Sequence, residues 1–184
     1  MLLSCGNASE EEQSSESLND ASIIFGKSDY SIPVLSAPAK EHAIKWGVLE
    51  DFLYETKNSN GSNFEALRNS SERLEEYADS LFKNIPDTLN TQSIQSRLMV
   101  IKTRTALLYQ TAHQARIDSL KLQGAMNELN TSVENFIVQL NEKFQKDNID
   151  LLRKEDEHAE LQKQKRFSDS VYNIELQDKK NKTL

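Results

Sequence analysis

The sequence predicts an all-α protein: an elongated three- or four-helix bundle built on one long heptad-patterned helix, preceded by a disordered acidic leader. Three observations point there. Apolar residues recur in alternating steps of four and three from Ile94 to Leu140, the a/d pattern of a helix packed on other helices at a low crossing angle. Turn-forming residues are scarce, with five glycines and three prolines in 184 residues, which disfavours a multi-stranded sheet. A hydrophobic content of 37% and a mean hydropathy of −0.65 are lean for a globule, but suit helices joined along narrow seams.

The seam runs Ile94, Leu98, Ile101, Thr105, Leu108, Ala112, Ala115, Ser119, Leu122, Met126, Leu129, Val133, Phe136 and Leu140. No proline interrupts it, and Gly124 costs only about 1 kcal/mol against Ala. Read as one continuous helix, it makes a rod on the order of 75 Å long.

Four regions follow from composition: a tether over residues 1–22, an extended arm over 23–38, a helical bundle over 39–145 and a charged helical extension over 146–184. The leader opens Met1-Leu2-Leu3-Ser4-Cys5-Gly6 and continues into a Ser- and Glu-rich run. Such a run buries too little apolar area to offset chain entropy. Leu2-Leu3-Ser4-Cys5 resembles the lipobox of bacterial acylated lipoproteins, with an aliphatic residue three before the cysteine and a small one just before it. That resemblance implies lipid attachment at Cys5, a bilayer as partner, and a location in the cell envelope facing the periplasm, in either membrane. Too few residues precede Cys5 for the family's charged and apolar signal regions, so the resemblance implies either a start upstream of Met1 or a signal already trimmed away.

In the arm, Ile24, Phe25, Val34 and Leu35 are expected to lie across a groove of the body, or else to dock a partner protein. A first helix is predicted from Ala39 to Lys57, capped near Ser36 with Pro38 in its first turn. Its buried face would be Ile44, Val48, Leu49, Phe52 and Leu53, with Trp46 on the flank. Asn58-Ser59-Asn60-Gly61 stops it. Ser62 and Glu65 read as the capping box of a second helix, with a seam of Phe64, Leu67, Ser71, Leu74, Ala78, Leu81 and Ile85. Pro86 ends that helix, and the short linker makes helices two and three antiparallel neighbours.

Helices one and two, each about 30 Å long, would cover only the first half of a 75 Å rod. The second half, Leu122, Met126, Leu129, Val133, Phe136 and Leu140, is then the candidate protein-interaction surface. The arm, a fold-back of the C-terminal region, or a second copy forming a homodimer would cover it. From Lys146 onward the chain is highly charged and helix-prone, and its apolar residues keep no strict register.

Chemistry is sparse. His42, His113 and His158 lie in different segments without ligand spacing, so no metal or cofactor is expected. His113 is followed by Gln114-Ala115-Arg116, which departs from the H-x-x-K-G of histidine phosphotransfer domains. There is no nucleophile elbow or phosphate-cradling loop, so no enzymatic role is expected. The net charge of −7 resides mostly in the leader, and the body mixes both signs, which argues against nucleic acid as a partner. The function expected is a membrane-tethered envelope lipoprotein in a structural, adaptor or chaperone-like role toward an unspecified protein. The alternative is a cytosolic or phage-type coiled-coil assembly protein without a lipid.

Overall fold

A computed structural model describes residues 23–182. Cys5 and the leader, including the expected tether, lie outside the described residues. The described residues form five α-helices: α1 (Ala37–Ala43), α2 (Gly47–Ser59), α3 (Phe64–Lys83), α4 (Gln92–Ala112) and α5 (Ser119–Lys182), with a 3-10 turn at Asp87–Leu89 between α3 and α4. The chain separates into two compact units, Met1–Glu142 and Lys143–Leu184. The all-α class is as expected.

The expected continuous helix is broken. Helix α4 ends at Ala112 with His113 as its C-cap, and α5 restarts at Ser119. Asp118 makes the restart, its carboxylate accepting from the backbone N–H groups of Leu120 (3.0 Å) and Lys121 (3.1 Å). The heptad phase survives the break because the two helices use the same kind of seam. Ala115 falls in the connection and Ser119 opens α5, and both are exposed.

This reversal removes the shortfall of cover that a straight rod implied. Arg104 pairs with Glu128 at 2.6 Å, two residues at similar distances from the turn, as in an antiparallel hairpin. Helix α2 packs on α3 and α3 on α4. Helix α5 closes the ring onto α2 through Ser59–Met126 and Trp46–Phe136. The result is an up-down-up-down four-helix bundle joined by short loops.

Leu122, Met126, Leu129, Val133, Phe136 and Leu140 are therefore core residues, each 0–1% exposed within a single chain. Their assignment as a protein-interaction surface is corrected, since neither a fold-back nor a second copy is needed to cover them. Apart from Ser70, the buried residues of α3 (Leu67, Ser71, Leu74, Ala78, Leu81) and α4 (Ile94, Leu98, Ile101, Thr105, Leu108, Ala112) follow the expected seams.

The predicted first helix is also divided. Trp46 leaves the helical region (φ −112, ψ 68) and Gly47 begins α2. The kink turns the Trp46 indole into the core, edge-on to Phe136 with ring centroids 6.1 Å apart. Ile44 is correspondingly turned outward, 73% exposed rather than buried. Burying the largest side chain outweighs keeping one unbroken helix. Ser36 does cap α1, its hydroxyl accepting from Ala39 N–H. At α3 the expected box is displaced: Asn63 is the cap and accepts from Ala66, while the Ser62 hydroxyl donates to the Ser59 carbonyl.

Candidate interaction surfaces

The N-terminal arm belongs to the folded body, although not through all the residues expected. Phe25 and Tyr30 are buried, whereas Ile24 is exposed and Val34 is 86% exposed. Phe25 pairs in a single antiparallel bridge with Ser62, its N–H donating to the Ser62 carbonyl (2.9 Å) while Gly61 N–H donates to the Phe25 carbonyl (2.8 Å). Its ring meets Phe64 edge-on at 6.4 Å.

Two asparagines fasten this arm. Asn60 and Asn130 exchange amide hydrogen bonds at 3.0 and 2.7 Å, and the Asn60 carbonyl oxygen also accepts from Lys27 N–H. The Tyr30 hydroxyl donates to the Asn130 backbone carbonyl at 3.2 Å. Burial, and then the charge of Glu134, raise the Tyr30 phenol above its ordinary value. Further along, Asn141 accepts from Ser36 N–H (2.8 Å) and donates to the Val34 carbonyl (3.0 Å). One side chain thus satisfies two groups of an extended strand that has no ladder partner there.

Between the arm and the first two helices runs a groove of about 500 Å³, bordered by Val34, Ile44, Leu53 and Tyr54, with Lys40, Glu50 and Lys57 at its edges. Val34, Ile44 and Tyr54 are exposed along it. The break before Gly47 is what sends Ile44 there, and no heptad pattern signals it.

In the second unit, every residue from 145 to 177 is exposed. Nine large apolar side chains are among them, Phe167 (73%) the most open. The helix is propped along its own length by Lys143–Asp147 (2.6 Å), Arg153 with Asp150 and Glu157, and Lys163–Glu160. Such pairs contribute a few tenths of a kcal/mol each. Residues 146–148, which carry neither glycine nor proline, do not break the helix.

The three histidines are dispersed: the His113 ring bonds the Tyr109 carbonyl and lies on the Tyr109 ring, and His158 bonds Gln162 within its own helix. Among the described residues no three His, Cys, Asp or Glu side chains are grouped to hold a metal ion, and no helix is long and apolar enough to cross a membrane. Buried Glu55 is paired with Arg73 at 2.6 Å; that hydrogen bond raises the guanidinium further and ties α2 to α3. Comparison with protein-family models, curated proteins and solved structures found no match to this chain.

Proposed function

We propose that this chain is a non-catalytic interaction protein of the cell envelope: a helical bundle, tethered through an acylated Cys5, that presents the helix from Lys143 to Lys182 to a protein partner. One observation supports the presenting role above the others. Residues 145–177 expose nine large apolar side chains, while the apolar seam of α5 from Leu122 to Leu140 is buried within one chain. Most helical stability in proteins comes from packing an apolar face, so a helix this long and this exposed gains its missing burial from another molecule. The anchor rests on Leu2-Leu3-Ser4-Cys5 and the acidic run after it. Acylation there supplies about 0.8 kcal/mol per buried methylene, and more than one chain is needed for stable attachment.

A photo-crosslinking residue at Phe167 of the full chain, in cells, tests the presenting role. Adducts are expected at Phe167 and not at Glu76, an exposed position on α3. No adduct at Phe167 overturns the reading. The anchor is tested separately by acyl labelling in a Gram-negative host behind an authentic lipoprotein signal. Label and membrane association are expected to vanish in Cys5→Ser. Unchanged labelling of that variant would remove the lipid and leave an unanchored assembly protein.

A further inference from the structure

Resting on that reading of the Lys143–Lys182 helix, we propose that its partner is a second copy of the same helix, paired antiparallel about a centre between Glu160 and Lys163. The helix lacks a heptad, but one of its faces carries aliphatic residues at both ends and charges between them. On that face stand Ile149 and Leu152, then Asp156, Glu160, Lys163 and Phe167, then Val171 and Ile174. Steps of three, four and four hold these positions on one face of a nearly straight helix, because eleven residues make three turns. All of them are solvent-exposed.

The face is self-complementary only when one copy is reversed. Antiparallel about that centre, Ile149 meets Ile174 and Leu152 meets Val171, so both ends of the contact are aliphatic. At the middle, Glu160 of each copy meets Lys163 of the other. Within one helix these two already lie 3.8 Å apart, so pairing builds a four-charge alternation. A parallel pair would instead stack Asp156 on Asp156, Glu160 on Glu160 and Lys163 on Lys163, and like charges facing each other oppose association. The one poor match in the antiparallel register is Asp156 against Phe167. Of the other exposed apolar residues, all on the opposite side of the helix, Leu151 and Tyr172 are related by the same centre, whereas Leu161 and Leu176 fall opposite Gln162 and Asp147 and have no apolar counterpart.

Full-length protein carrying Cys5→Ser, so that only introduced thiols react, provides the test. Ile149→Cys and Ile174→Cys are each oxidised alone and then as a mixture. Antiparallel pairing gives a disulfide-linked dimer only in the mixture, since equivalent positions of the two copies are then about 37 Å apart along the axis. Self-linking of either variant alone overturns the register. Sedimentation of the unsubstituted chain should show dimer. Glu160→Lys should weaken it on the order of tenfold, and Glu160→Lys/Lys163→Glu should restore it. Asp156→Leu should tighten it by removing the poor match. These positions are exposed, and circular dichroism checks that the helix persists in each variant. A chain that stays monomeric yet crosslinks another protein through Phe167 overturns self-pairing and leaves the presenting role standing. A monomer with no adduct removes both.

Discussion

Asn60 and Asn130, seventy residues apart, exchange two amide hydrogen bonds and so join the end of α2 to the N-terminal part of α5. Around this pair gather the Thr56 carbonyl, the Lys27 N–H and, through the Asn130 backbone, the Tyr30 hydroxyl. The pair is therefore where the arm, α2 and α5 meet. Each amide places both its donor and its acceptor, so no aliphatic side chain can replace either one without stranding its partner.

Asn60→Ala and Asn130→Ala should each destabilise the bundle by about 1–3 kcal/mol, because the first strands the buried Asn130 amide and the second removes the two bonds that Asn60 makes to it. The double variant should cost clearly less than the two singles combined, as expected for residues in direct contact. Chemical denaturation of the four proteins measures this. Additive losses would show that the two amides do not stabilise one another.

Two glycines should respond with opposite sign. Gly26 sits at φ +76, and an added Cβ would strike the Asn60 side-chain oxygen. Gly26→Ala should therefore cost about 1–3 kcal/mol and expose the arm to proteolysis. Gly124 lies in α5 with open space where a Cβ would go. Gly124→Ala should stabilise by about 1 kcal/mol through helix propensity. Melting curves of both variants, run together, give the comparison.

Phe136→Ala should destabilise by about 3–5 kcal/mol, as for other buried aromatics. Its contacts, Trp46 among them, lie within one chain. The drop in melting temperature should consequently be the same at micromolar and at hundredfold higher protein concentration. A concentration-dependent drop would return this side chain to an intermolecular surface.

The pH limits of stability follow from two groups. A hydrogen bond from Lys102, at 2.8 Å, holds the Asp79 carboxyl below its ordinary value. A depressed folded-state value stabilises above the unfolded one and is lost as pH falls through the folded one, so this contribution fades below about pH 4. The pair is largely solvent-exposed, and Asp79→Asn should cost only about 0.5 kcal/mol at pH 7 and nothing near pH 2. Tyr30 has the opposite sense. Its value is raised by burial and then by Glu134, so stability falls as pH climbs past about 10, where the unfolded phenol ionises. Tyr30→Phe should flatten that alkaline limb in denaturation curves.

Local pattern and tertiary packing divided the determination of this protein clearly. The seams of α3 and α4, and the buried face of α5 from Leu122 to Leu140, were legible in the sequence. An apolar repeat near 3.5 residues has one low-energy disposal, which is burial along a neighbouring helix. The stop after Ser59 was legible for an equally local reason, since Gly61 takes φ +74. The chain reversal at residues 113–118 was not. The repeat runs through it in phase, and neither glycine nor proline marks it. It exists because two antiparallel helices bury their seams on each other, where one straight helix would leave half its seam in water. The outward Ile44, the inward Trp46 and the asparagines that fasten the arm were likewise decided by contacts between residues distant in sequence. Periodicity specified which face of each helix must be covered, and the fold decided what covers it.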